Sequence, residues 1–260
     1  MLFYKAWLET RLRFLIAVVA VIALSAFYVM FRPYAVDHMD QLVRLHPDFH
    51  RPWWFDRQLN DYRFYLWRSL FNDELRDLWL VCASVLGMGG LTQEGARGCA
   101  AFTLSLPVPR RRLAEVHLTV VGAELGILAL LPAIVLPLLS SFVHGTYSAL
   151  EAVGRGLLLA TGGLVVLGLV FVLSVMIESA YVPVVVCIGI LLAWGSVLEP
   201  YREGLAEPLV FRLVDLFRLI SGPPDFCWRA YPWAGILLSV TAALILALSA
   251  IRVTELRDYR

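Results

Sequence analysis

Long apolar segments constrain the fold of this chain more than any other feature. Six of them approach or exceed the roughly 20 residues that an α-helix needs to cross a bilayer. Apolar residues make up 60% of the 260 residues and are concentrated in these runs, whereas a soluble domain is nearer half apolar. We therefore predict an all-α, polytopic membrane protein with one transmembrane domain over 1–260 and six spans at 14–32, 75–92, 112–142, 153–178, 180–198 and 231–252.

The segments between and beside these runs suggest how the chain lies in the membrane. Residues 1–13 combine apolar and charged side chains in an amphipathic pattern, which predicts an interfacial helix along the membrane. The aromatic, mixed-charge segment 33–74 and the amphipathic segment 199–230 are predicted to be external, the first as a small helical elaboration and the second as one or two short helices. The density of arginine beside the spans favours cytoplasmic N- and C-termini in a multi-pass protein of the cell (inner or plasma) membrane.

The connection between the second and third spans, Leu91–Leu113, is not an ordinary loop. It reads LTQEGARGCAAFTLSLPVPRRRL and opens with Thr92–Glu94, a capped and acidic turn typical of a helix N-terminus. Pro107 and Pro109 end the helical run, because proline lacks an N–H and clashes with the preceding turn. An arginine triplet, Arg110–Arg112, precedes the next span. This pattern predicts a short helix outside the bilayer that is held between two membrane helices.

Glu94, Gly98 and the run LSLPVPRRRL (Leu104–Leu113) resemble the first cytoplasmic loop of type-2 ATP-binding-cassette exporter permeases. In that family an acidic residue and a glycine precede L-S-x-P-V-S-R; here Pro109 replaces the serine, and Cys99 stands where threonine is common. The resemblance implies that 92–111 is a cytoplasmic coupling helix docked in a cleft of an ATPase. The residues that would couple to the ATPase are Gln93, Glu94, Arg97, Phe102, Leu104, Leu106, Arg110 and Arg111. The arginine triplet is equally typical of a positive-inside membrane anchor.

The resemblance implies a function as the permease subunit of an exporter, paired with a second copy or a related permease and embedded in membrane lipid. ATP and magnesium would belong to a separate ATPase subunit. The sequence is consistent with a separate ATPase, because Lys5 is the only lysine and lies in no phosphate-binding G-x-x-x-x-G-K-[ST] motif. We therefore expect no enzyme activity and no cofactor in this chain. The net charge of +1 indicates no nucleic-acid partner.

An ATP-independent membrane protein, such as a secondary carrier or an assembly or sensor protein, is the alternative. It would need ionisable residues within several spans, and only Glu124 clearly qualifies. Glu124 could line a substrate path or a subunit interface, or it could be a protonated side chain bonded to a neighbouring helix. The spacing of His46 and His50 would suit a metal on a helix, but Pro47 between them disfavours one, so we predict no metal site. The sequence does not identify the substrate.

Overall fold

The computed structural model describes residues 2–45, 52, 54–89, 109–143, 145–177, 179, 181–203, 215–226, 228 and 231–256. Regular structure in these ranges is helical throughout and includes no strand. The α-helices are α1 (Leu2–Leu45), α2 (Phe55–Asn60), α3 (Tyr62–Leu66), α4 (Leu75–Leu86), α5 (Arg110–Ser140), α6 (Ala149–Met176), α7 (Val182–Glu203), α8 (Leu216–Ser221) and α9 (Trp233–Leu256). A π-helical segment, Trp67–Glu74, joins α3 to α4 without a break.

Four of the described helical segments are long and apolar enough to cross a membrane, which indicates a membrane-embedded protein. They are Leu2–Met39, Arg110–Val143, Ala149–Met176 and Trp233–Leu256. The sequence predicted six. The predicted second span contains α4, with 12 residues, and the predicted fifth contains the apolar part of α7, Val182–Leu198. These two helices are shorter than the roughly 20 residues of a perpendicular span.

Helix α1 corrects two predicted boundaries. The proposed interfacial helix 1–13 is not a separate element, because α1 runs continuously from Leu2 through the apolar segment. The first helix also extends past the predicted end of its span at residue 32, since α1 includes Pro33 and ends at Leu45. The physical reason is packing: a buried stripe at helical spacing crosses the predicted boundary at residue 14. Its members are Ala6, Thr10, Ala17, Val21, Ser25 and Val29.

Helix α5 contains two prolines, which usually interrupt a helix. It nevertheless continues through Pro132 and Pro137 to Ser140. Pro132 is buried, and Leu128 and Leu136 on the same side of the helix are fully buried. The helix is therefore closely packed one turn before and one turn after Pro132, where it continues without a break.

The core lies between α4, α5 and α6. Trp79 of α4 is fully buried, and its indole Nε1 donates a hydrogen bond to the Leu159 carbonyl of α6 over 2.8 Å. Gly163 of α6 lies under the same ring, where a Cβ atom would be 2.6 Å from Trp79 Nε1. Leu125 Cδ2 of α5 would lie 2.9 Å from the same Cβ atom. The three helices therefore approach one another closely at this level.

One end of the bundle, which we call the terminal end, holds both the start of α1 and the end of α9. Arg13 of α1 donates to the Met88 carbonyl just after α4. Arg111 at the start of α5 lies 3.9 Å from Glu255 near the end of α9. Segment 90–108 therefore joins two helix ends that both lie at the terminal end.

The opposite end, which we call the distal end, holds the short helices. Trp67 Nε1 in the π-helical segment donates to the Gly222 carbonyl after α8 over 3.0 Å. The Tyr231 hydroxyl before α9 donates to the Gly154 carbonyl near the start of α6 over 2.7 Å. These contacts place the segment before α4, the start of α6 and helix α8 together, so successive helices pass alternately between the two ends.

Candidate functional site

Most of the predicted coupling residues lie outside the described ranges. They are Gln93, Glu94, Arg97, Phe102, Leu104 and Leu106. The histidines His46 and His50 also lie outside them. Within the described ranges, no group of three or more His, Cys, Asp and Glu side chains could hold a metal ion.

The arginines that follow the coupling segment are described, and they tie α5 to α9. Arg111 Nε donates to Glu115 Oε1 over 2.7 Å and lies 3.9 Å from Glu255. Arg112 pairs with Glu115 at 3.6 Å, whereas Arg110 is half-buried at the first position of α5. The guanidinium groups of Arg111 and Arg112 are exposed, so each pair contributes little to stability in isolation. Their geometry nevertheless links the exit of the coupling segment to the last helix.

The entrance of the coupling segment is sterically constrained. Gly89 has φ +151°, a conformation that side chains rarely adopt. A Cβ atom at Gly89 would lie 2.6 Å from His117 Cε1 in α5. His117 itself is buried and stacks on Phe171 of α6, with ring centroids 5.9 Å apart. The chain therefore leaves the end of α4 in close contact with α5, through a position that requires glycine.

Glu124 lies within α5 and faces α1, with only 4% of its surface exposed. Its Oε1 is 2.6 Å from Thr10 Oγ1, and Thr10 Oγ1 is also 3.3 Å from the Ala6 carbonyl. A hydroxyl has one proton and cannot donate to both acceptors at once. A protonated Glu124 would donate to Thr10, which would then donate to Ala6, so every proton would have an acceptor. The contact is therefore a helix–helix hydrogen bond within one chain.

A second buried polar cluster, at the distal end, was missed by the sequence analysis. Arg155 of α6 is fully buried and lies one turn after Glu151. Its Nη2 atom is 3.0 Å from Glu151 Oε1, and its Nη1 and Nη2 atoms donate to the carbonyls of Ser221 and Pro224 at 3.3 and 3.4 Å, respectively. The missed signal is the i, i+4 spacing of opposite charges in an otherwise apolar helix.

Aromatic rings complete the surroundings of Arg155. Its guanidinium carbon lies 5.2 Å from the Phe71 ring centroid and 5.8 Å from that of Phe226. Phe226 packs on Gly154, where a Cβ atom would lie 2.2 Å from the ring. Arg155 thus holds the turn after α8 against α6 by hydrogen bonds and cation–π contacts together.

No family model matches the chain, and no curated protein or solved structure is similar to it at a significant level. We therefore base the functional proposal on the residues of this chain.

Proposed function

We propose that the chain is the membrane permease subunit of an ATP-binding-cassette exporter. The observation that carries the proposal is the segment with Glu94, Gly98 and LSLPVPRRRL, which joins two helix ends at the terminal end of the bundle. The start of α1 and the end of α9 lie at that same end. A coupling helix of this family is expected to share the cytoplasmic face with both termini, and this arrangement supports that placement.

The contacts at both ends of the coupling segment suggest how its movement would be transmitted to the membrane helices. Gly87, just after α4, packs on α6, since a Cβ atom there would lie 3.1 Å from Leu167. At the other end of the segment, Arg111 connects α5 to α9 through Glu255. Closure of an ATPase dimer against residues 92–106 would therefore shift α4 and α5, and α6 and α9 with them. The substrate path between two permease copies would change shape as a result.

The proposal includes six membrane crossings, with α4 and its π-helical extension as the second and α7 as the fifth. Residues 93–111 would be cytoplasmic and 33–74 external. A cysteine at Asp56, in a variant without the native cysteines, is expected to react with an impermeant thiol reagent added to intact cells. A cysteine at position 98 is the matched control and should stay unlabelled. Labelling of position 98 and not of 56 would invert the orientation.

An ATP-independent carrier is the second candidate. Its support is stronger in the structure than in the sequence, because the structure buries more ionisable side chains than Glu124 alone. Glu124, Glu151 and Arg155 are ionisable and buried within helices that could cross a membrane. However, Glu151 and Arg155 pair with each other, which leaves Glu124 as the group best suited to ion coupling. Transport that continues after the ATPase gene is deleted, and that stops when the proton gradient is removed, would favour the carrier.

The coupling assignment is tested by Phe102→Ala and Glu94→Lys. Burying a side chain such as phenylalanine against a partner is worth about 1.5–3 kcal/mol, which corresponds to roughly ten- to a hundredfold in binding. We expect either change to weaken capture of a co-purified ATPase or to uncouple ATP hydrolysis from transport, while the permease still inserts and dimerises. Phe142→Ala, which truncates an exposed phenylalanine near the distal end, is the matched control. If the doubly substituted chain binds its ATPase and transports normally, the assignment is wrong.

A further inference from the structure

We propose that the distal end holds a binding site for a phosphate group, as carried by a membrane lipid headgroup. The site is distinct from the coupling segment and does not depend on it. We call it the phosphate cluster, and it consists of Arg32, Tyr62, Arg63, Tyr147, Glu151 and Arg155.

The charge of the phosphate cluster is unbalanced. Glu151 pairs with Arg155 at 3.0 Å and with Arg63 at 3.9 Å. In the described ranges Arg32 makes no ion pair, and its guanidinium carbon lies 4.8 Å from the Tyr62 ring centroid. Three arginines therefore share one carboxylate, which leaves two positive charges. The phosphodiester of a lipid headgroup carries one negative charge, which would balance one of them.

Two buried polar groups in the phosphate cluster carry a proton for which no described residue is the acceptor. One is Arg32 Nε, which can only donate, and the other is the Tyr147 hydroxyl, to which the neighbouring Arg155 can only donate. Tyr147 is 8% exposed and lies beside Arg155 and Glu151, and burial raises the pKa of its phenol, which keeps the proton in place. A buried donor without an acceptor is costly. Phosphate oxygens are acceptors of the kind that both groups lack.

Tyr62 connects the two donors. Its ring lies under Arg32, and its hydroxyl is 2.6 Å from Ser140 Oγ at the end of α5. Gly145 packs on the same ring, where a Cβ atom would lie 2.6 Å from it, and Tyr147 follows two residues later. The donors therefore come from α1 and from the link between α5 and α6, on either side of one tyrosine.

The phosphate cluster is open towards its outer side. The Arg63 side chain is 55% exposed and holds Glu151 only at 3.9 Å, beyond normal hydrogen-bond distance. Arg32 is half-buried, whereas Tyr147 and Arg155 lie beneath. A ligand would thus meet the Arg32 and Arg63 side chains before the more deeply buried Tyr147 and Arg155.

The position along the bundle favours a lipid as the source of the phosphate. Trp228, Tyr231 and Trp233 cluster at the same end, with ring centroids 4.8 to 6.4 Å apart. Tryptophan and tyrosine are enriched where a membrane protein meets the headgroup layer.

The test uses the full chain, delipidated in detergent micelles. Thermal unfolding and native mass spectrometry would be followed with added phosphatidylglycerol, with diacylglycerol, which lacks the phosphate, and with inorganic phosphate. We expect phosphatidylglycerol to raise the unfolding midpoint and to remain bound at one copy per chain, and diacylglycerol to do neither. If inorganic phosphate alone has this effect, the phosphate chemistry holds and the source is soluble. No response to either phosphate source overturns the proposal.

Tyr147→Phe separates this proposal from a purely structural role. It removes a hydroxyl whose proton has no described acceptor, so without lipid the variant should be about as stable as the wild type. With phosphatidylglycerol its affinity should fall about tenfold or more, and Arg32→Gln should act in the same direction. Arg68→Gln is the matched control, because Arg68 lies at the same end over the Trp54 ring. Wild-type lipid affinity in both Tyr147→Phe and Arg32→Gln, or an equal loss in Arg68→Gln, would refute the site.

Discussion

Gly156→Ala is the sharpest test of the contact between α5 and α6. A Cβ atom at Gly156 would lie 2.7 Å from the Ala129 carbonyl oxygen. That is about 0.6 Å closer than the roughly 3.3 Å at which carbon and a carbonyl oxygen normally meet. The oxygen belongs to the backbone of α5 and cannot rotate away as a side chain could. The substitution must therefore push the two helices apart.

The expected cost follows from two opposing terms. Overpacking of a tight interface destabilises by about 1–3 kcal/mol. Alanine is a better helix former than glycine by up to about 1 kcal/mol, which offsets part of the loss. Gly126→Ala in α5 isolates the second term, because no atom lies within 4 Å of a Cβ atom built there. The difference between the two variants should therefore equal the overpacking cost alone.

The assay is unfolding in mixed micelles, titrated with SDS and followed by tryptophan fluorescence. We expect Gly156→Ala to unfold with a free energy about 1–3 kcal/mol lower than that of Gly126→Ala. Equal free energies in the two variants, or a less stable Gly126→Ala, would refute the close approach of α5 and α6.

Three further outcomes are expected from the same titration. Glu124→Gln should stay within about 1 kcal/mol of the wild type because its side-chain amide can still hydrogen-bond to Thr10, whereas Glu124→Ala should cost about 1–3 kcal/mol; the reverse order would contradict the hydrogen bond. Asp215→Ala should cost about 0.5–2 kcal/mol, because its carboxylate caps two backbone N–H groups of α8, and Asp215→Asn should restore most of this loss. Burial raises the pKa of Tyr147, so its contribution to stability is fully present below the ordinary value of about 10 and is lost as pH rises through the raised value. Tyr147→Phe should therefore reduce the loss of stability above pH 10, and an unchanged alkaline profile would contradict the burial.

Hydropathy predicted the class of this fold, because long apolar helices leave a signal in any window of 20 residues. It could not predict where α1 begins and ends. The charged side chains of residues 2–13 indicated a surface helix, yet Ala6 and Thr10 continue the stripe that packs on α5. Packing against a distant segment decided the boundary, and no local pattern encodes that contact.

Glu124 and Arg155 also show that local sequence does not predict contacts with distant segments of the chain. Glu124 was predicted as a candidate because a lone carboxyl deep in an apolar run is conspicuous. Its partner Thr10 is 114 residues away in the chain, so the pairing itself could not be predicted. Arg155 was overlooked near a predicted span end, although the carbonyls of Ser221 and Pro224 bury it completely.

Helix α1 has a mechanical consequence. Its 44 residues measure about 66 Å at 1.5 Å per residue, more than twice the roughly 30 Å of a hydrocarbon core. Even at a tilt of about 40°, about 27 Å of the helix would stand in headgroups or water. Thr10 and Arg32 lie on this one rod, about 33 Å apart along its axis. If α1 tilts about a point between these two residues, Thr10 and Arg32 therefore move in opposite directions.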